Sequence, residues 1–234
     1  VITIRKSEER GHADHGWLNS HHTFSFSNYH DPKHMGFRSL RVINEDRVAP
    51  GRGFGAHAHR DMEILSYVLD GALAHKDSMG HEEILGPNEV QRMSAGSGVV
   101  HSEFNASKTE PVHFLQVWIE PATTGTPSSY EQFKFDPEEK KGKLKLIASQ
   151  QGGDGVAKIN QDAKILVSEV EGKSEISYPL GADRHAWLHV IRGSITVNGS
   201  QLNGGDAASF SDENNLEIQG SESEPAEILL FDLA

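Results

Sequence analysis

The chain has 234 residues, a formal net charge of -12 and no cysteine. The acidity argues against nucleic acid or an anionic membrane surface as main partner. The missing thiols exclude disulfides, thiol nucleophiles and thiolate metal ligands.

The length suits one large domain or two of about 110 residues, and 23 glycines suit a β-rich chain with many tight turns. Val1 to Lys6 alternates as a short strand and lacks the apolar core of a signal peptide. No run approaches the ~18 apolar residues that span a bilayer, so the expected location is cytoplasmic, with neither membrane nor nucleic acid as partner. Histidine is unevenly spread: 12 of the 14 precede residue 121, and neutral imidazole is a common ligand for transition metals.

Residues 7–36 are rich in Gly, His, Asn and Asp and lack helical periodicity. They read as ordered loops and short strands covering a barrel. Their six histidines (His12, His15, His21, His22, His30, His34) read either as polar loop residues or as a metal tract; H-x-x-H and H-H spacings outside a fixed element are weak metal signals, which favours the first. Leu40 to Asn44 is a strand ended by Ala49-Pro50-Gly51. Glu63 to Leu69 is a strand closed by the hairpin dipeptide Asp70-Gly71, and Ala72 to Asp77 returns. Gln91 to Ser94, His101 to Phe104 and His113 to Ile119 follow. Short strands with turns roughly every 8–12 residues predict an antiparallel sandwich or barrel.

Pro121 to Pro127 is small and polar and is the best linker candidate. The later half repeats the style of the first. Tyr67-Val68-Leu69-Asp70-Gly71 aligns with His189-Val190-Ile191-Arg192-Gly193, and Gly86-Pro87-Asn88-Glu89 with Gly204-Gly205-Asp206. This repetition favours two copies of one barrel. The expected organisation is an N-terminal barrel over 1–120, a crossing segment over 121–143 and a second barrel over 144–234.

Two H-x-H/E pairs carry the chemistry. Residues of equal parity on a strand share a face. His57, His59, Asp61 and Glu63 share parity on one strand; so do His101, Glu103 and Asn105 on the other. Pointed into one barrel, two imidazoles from the first strand and an imidazole plus carboxylate from the second make an open site of three nitrogens and one oxygen. Such a set suits Fe(II), Mn, Ni, Cu or Zn, and the absence of sulfur favours non-haem Fe(II). Glycines before each pair let the backbone turn tightly into the barrel. Glu63 reads as a fifth ligand or, preferably, as an acceptor that orients a histidine. Asp61 is expected at the surface or against a neighbouring loop. Parity places Phe54, Leu65, Tyr67, Gln116 and Trp118 on the pocket walls.

Gly51-x₅-His57-x-His59-x₃-Glu63, Gly71 and His101-x₃-Asn105 resemble the two cupin motifs. The usual proline of the second motif is replaced by Ser94-Ala95-Gly96-Ser97-Gly98. That departure and His101-x-Glu103 resemble the pirin family. So do Arg10-Gly11-His12, His22-Thr23-Phe24-Ser25-Phe26, Phe54 to Glu63, and Leu115-Gln116-Val117-Trp118-Ile119. The likeness spans essentially the whole chain and resembles most the bacterial pirins with quercetinase activity.

It implies an all-β fold of two tandem cupin (double-stranded β-helix, or jelly-roll) barrels. It further implies one metal held by His57, His59, His101 and Glu103, with Glu63 displaced from ligation. The implied activity is a dioxygenase that opens flavonols such as quercetin and releases carbon monoxide, using O2. In that reading Glu103 is the catalytic base that takes the substrate proton. The alternative implied by other pirins is a metal-dependent protein partner of a transcription factor or metabolic enzyme. His185 and His189, roughly 13 Å apart along a strand, lack a counterpart of His101-x-Glu103, so the second barrel is expected to be structural.

Overall fold

The computed structural model describes all 234 residues. The chain forms β1 (Ile2–Arg5), β2 (Gly11–Asp14), β3 (Leu18–His22), β4 (Leu40–Val48), β5 (Gly53–Asp70), β6 (Leu73–Asp77), β7 (Glu82–Leu85), β8 (Glu89–Asn105), β9 (Val112–Ile119) and β10 (Ser129–Lys134). There follow β11 (Lys145–Ser149), β12 (Ala157–Lys158), β13 (Ala163–Val170), β14 (Glu175–Pro179), β15 (His185–Arg192), β16 (Ser194–Val197), β17 (Ser200–Asn203), β18 (Ala207–Phe210), β19 (Asn215–Gly220) and β20 (Ala226–Leu233). Two single-turn 3-10 helices, Ser7–Glu9 and Pro137–Glu139, are the only helical segments. No helix is long and apolar enough to cross a membrane.

Two compact units divide the chain. One comprises Gly11–Phe135 with Gln150–Gln161; the other comprises Val1–Arg10, Asp136–Ser149 and Asp162–Ala234. This partition differs from the expected cuts near 120 and 143. β10, within the expected crossing segment, pairs along β8 from Ser129↔Ser94 to Lys134↔Glu89. β1, expected in the first barrel, pairs with β18 in the second unit from Ile2↔Phe210 to Arg5↔Ala207.

In the first unit the strands run in the order β2-β3-β4-β9-β5-β8-β6-β7, with β10 beside β8. β5 and β8, of 18 and 17 residues, bend at register shifts and so curl the sheet on itself. One apolar cluster gathers Leu18, Val48, Val68, Leu73, Leu85, Val112 and Phe114. Another gathers Ile64, Met93, Ala95 and Val99, with Trp118 against it.

In the second unit β18-β15-β20-β13 and β14-β19-β16-β17 are consecutive in two separate sheets. Their alternating apolar residues meet in one core that includes Leu188, Val190, Ile195, Val197, Phe210, Leu216, Ile218, Ile228 and Leu230. Period-2 patterning of that kind is what a two-layer β structure needs.

The internal repeat is visible in a glycine from each unit. Gly71 ends β5 with φ 82° and Gly193 follows β15 with φ 74°. A Cβ on Gly71 would lie 2.7 Å from the Pro111 carbonyl oxygen, and one on Gly193 2.3 Å from that of Pro225. Both positions therefore require a left-handed residue without a side chain, pressed on the proline that precedes the next paired strand.

Candidate metal centre and cavity

β5 and β8 bring the two pairs together through the register His57↔His101. The Nδ1–H of His57 donates to the Gly55 carbonyl at 2.7 Å, which leaves its Nε2 as a bare lone pair. That atom lies 3.0 Å from Nε2 of His101. Two ring nitrogens facing each other at this distance need a proton or a cation between them. The Nε2 of His59 is buried without a hydrogen-bond partner. One ring nitrogen from each of the three histidines falls within 4.8 Å of the others, and an oxygen of Glu103 lies 4.0 Å from His101 Nε2.

Electrostatics keep these rings ready as ligands. Burial, then the neighbouring His101 and His57, lower the His59 pKa to about 4. Burial, then His57 and His75, lower that of His101 to about 3. Three converging imidazoles, His101 buried and His57 and His59 half-buried, fit a divalent transition metal. Glu103 is aimed by its neighbours: its Oε2 accepts from Gln116 Nε2 at 2.8 Å, and its Oε1 from Ser66 Oγ at 3.4 Å. Trp118 Nε1–H in turn donates to Gln116 Oε1 at 3.2 Å. The Trp118 ring meets that of His59 edge-on at 5.0 Å.

Glu63 does not join this site. Asp61 and Gly96 face each other where the register shifts, both with positive φ (66° and 48°). A Cβ on Gly96 would lie 2.2 Å from the Thr126 carbonyl oxygen. The irregularity flips the faces of β5. The odd positions His57 and His59 look into the site; beyond the shift the even position Ser66 reaches Glu103. Glu63 is therefore fully buried on the opposite face, accepts from Ser94 Oγ at 2.6 Å and orients no histidine. Burial pushes its pKa up. Leu65 and Tyr67 share that opposite face and leave the pocket wall for the same reason. Asp61 meets a loop, its Oδ1 accepting the Gly125 N–H at 2.7 Å.

The histidines open into a cavity of about 790 Å³ lined by Phe54, Gln116, Trp118 and Glu103 among others. It is also lined by the β2–β3 hairpin and the loop after it, including Ser20, His22, Phe26 and Tyr29, and by Asn44 and Asp46 on β4. Most of the six early histidines lie elsewhere than in a ligand cluster. His12 stacks on His21 at 4.5 Å, and His34 pairs with Asp31 at 2.8 Å.

Sequence reasoning missed His75 and Asp77. Strand β6 pairs His75 with Glu103 and Asp77 with His101, and His75, His101 and Glu103 form a second convergence of potential ligands. His75 Nε2 bonds Asp77 Oδ2 at 2.9 Å. The alternation of Leu73, His75 and Asp77 on one face was the available signal. In the second unit His185 Nδ1 bonds Ser211 Oγ at 2.8 Å and His189 is fully buried; neither belongs to a ligand cluster.

The pirin family profile matches residues 3–119, and a profile described as the quercetinase C-terminal cupin domain matches residues 146–233. The chain is 44% identical over 233 residues to a quercetin 2,3-dioxygenase of Escherichia coli K12, covering 100% of this chain and 99% of that protein. It is 40% identical over 235 residues to a pirin-like protein of Caulobacter vibrioides, covering both in full. The crystal structure of the bacterial pirin YhhW from Escherichia coli in complex with nickel(II) superposes with a TM-score of 0.93 at 44% identity, over 100% of this chain and 99% of that one. With its histidine-lined barrel and its second cupin unit, this chain belongs to the pirin family.

Proposed function

We propose that the protein is a metal-dependent flavonol 2,3-dioxygenase that takes quercetin-like substrates and O2, and that His57, His59, His101 and Glu103 hold the metal. The observation that carries this reading is the opening of a three-histidine, one-carboxylate cluster into an aromatic-walled cavity of about 790 Å³, within the range of small-molecule sites. The full-length likeness to a bacterial quercetin 2,3-dioxygenase supports the substrate class. The donor set, three nitrogens and one oxygen without sulfur, favours Fe(II) as the native metal.

When bound, such a metal supplies Lewis acidity toward a hydroxy-ketone and access to O2 chemistry. The chain's own residues do the rest. Phe54 and Trp118 flank the cavity and exclude water from the reacting edge. Glu103 takes the proton of the substrate hydroxyl, with Gln116 and Ser66 fixing the direction of its carboxylate. His75 backs His101 and is itself held by Asp77. The cavity beside the histidines favours an enzyme over the regulatory alternative, because docking on a protein partner does not need a concave site of that size next to the ligands. The cytoplasm is the compartment we assign, on the absence of cysteine.

Anaerobically purified, Fe(II)-loaded protein is expected to bleach quercetin with stoichiometric O2 uptake. His57→Ala should lose bound metal and activity together, whereas Glu103→Gln should lower kcat at least about 100-fold. Loaded protein that neither bleaches a flavonol nor consumes O2 with one overturns the assignment.

A further inference from the structure

The cavity lining on β3 and β4 carries a polar cluster that the chemistry at Glu103 leaves unused. In the register of β3 and β4, Ser20 faces Asp46 and His22 faces Asn44. Asn44 in turn faces Gln116 on β9, and Gln116 faces Ser66 on β5. His22, Asn44, Gln116 and Ser66 thus form one polar row across four adjacent strands. With strands about 4.8 Å apart, its His22 end lies ~10 Å from the Gln116 end that holds Glu103.

The free end of the row lacks partners. His22 and Asn44 are only 6% and 3% exposed, yet His22 Nδ1 and Asn44 Oδ1 make no hydrogen bond. Both residues line the cavity. Leaving a buried polar atom in this state costs stability, and a ligand that supplies donors removes that cost.

The proton arrangement defines which atoms accept. Ser20 Oγ donates its one proton to Asp46. His22 Nε2, 2.9 Å from Ser20 Oγ, must then carry the proton that it donates to that oxygen. Its Nδ1 is left as a lone pair, and burial keeps the ring uncharged by lowering its pKa to about 4. An imidazole nitrogen and an amide oxygen are therefore left as unpaired acceptors on two paired residues that both line the cavity. Aromatic rings frame them: Phe26 meets His22 edge-on at 5.3 Å and Trp118 at 5.4 Å, which joins this end of the cavity to the metal end.

We propose that His22 and Asn44, held by Ser20 and Asp46, form a hydroxyl-recognition subsite that selects flavonols whose ring remote from the metal-binding edge carries vicinal hydroxyl groups. The subsite rests on the flavonol reading above and deepens it by naming the part of the substrate that is selected. Two adjacent donors on one flat ring satisfy both orphaned acceptors, whereas an unsubstituted ring leaves both buried and unpaired.

Quercetin and galangin test this, because they share the metal-binding edge and the fused ring and differ only in the two hydroxyls of the remaining ring. Binding is measured by calorimetry on nickel-loaded protein at pH 8, with melting temperature and metal content as folding controls. The wild type is expected to bind quercetin at least about tenfold more tightly than galangin. His22→Phe and Asn44→Leu should each bring that ratio to within about twofold of one. A wild-type ratio near one overturns the subsite without recourse to any variant, and so does an undiminished ratio in both folded variants. O2 uptake on the same preparations loaded with Fe(II) separates the two readings. Hydroxyl-dependent binding without O2 uptake removes the dioxygenase and keeps the subsite; O2 uptake with equal binding of both flavonols does the converse.

Discussion

Removing the amide of Gln116 deprives Glu103 Oε2 of its 2.8 Å donor and Trp118 Nε1 of its acceptor. Gln116→Leu keeps the volume and is expected to weaken metal affinity about 10–100-fold, the usual effect of losing a residue that orients a ligand. Isothermal titration of the metal-free protein with nickel(II) measures it. Asp46 gives a pH signature. Burial pushes its carboxyl up from 3.8 to about 7, against the opposing bond from Ser20 and with help from Glu103 and Glu45. Between those two values the folded protein holds a proton that the unfolded chain has released, so stability falls as pH rises. Asp46→Asn lacks this penalty. In the metal-free protein its stability relative to wild type should rise by up to about 1.4 kcal/mol per pH unit from pH 4 to 7 and then level off. Denaturant melts across that range show it, and a flat difference refutes the assignment.

At the scale of the element, the shift at Asp61 decides which residues reach the site. Asp61 adopts a left-handed backbone that aspartate tolerates and a β-branched residue does not. Asp61→Val is expected to cost about 2–3 kcal/mol, from backbone strain and the lost Gly125 bond, and to weaken metal binding through His59. Asp61→Asn should stay near wild type in both melting temperature and metal titration. The same shift marks the limit of what was legible in the sequence. His57, His59, His101 and Glu103 could be read because each pair sits within three residues on one strand, where parity is dependable. Glu63, Leu65 and Tyr67 were misplaced because parity was carried across a kink that an aspartate does not advertise. His75 and Asp77 were readable by alternation. The partnership of His22 with Asn44 was not, since it exists only through pairing of two strands separated by a long loop.

At the scale of the molecule, turn spacing and two aligned segments predicted a β-rich chain with an internal repeat, and Gly71 and Gly193 show that repeat in three dimensions. The pairing of β1 with β18 was beyond their reach, because a four-residue alternating strand carries no mark of its partner. Asp206 is the clamp that fixes it. Buried, it accepts from Lys6 Nζ at 2.9 Å, from the Ser7 N–H at 2.8 Å and from the Asn203 N–H at 3.0 Å. Asp206→Ala is expected to destabilise the second unit by about 2–3 kcal/mol and to accelerate hydrogen exchange at residues 2–5 ahead of the rest of β18's sheet.

The pairing of Ile2 with Phe210 also sets an order of events during synthesis. β1 is made well before β18 and must wait for it before its backbone groups are satisfied. In the interval it is an unpaired edge, open to other chains. Closing a loop of that span also places its docking late in folding. A nascent chain arrested before β18 emerges should therefore fold its histidine-lined barrel while β1 stays protease-sensitive.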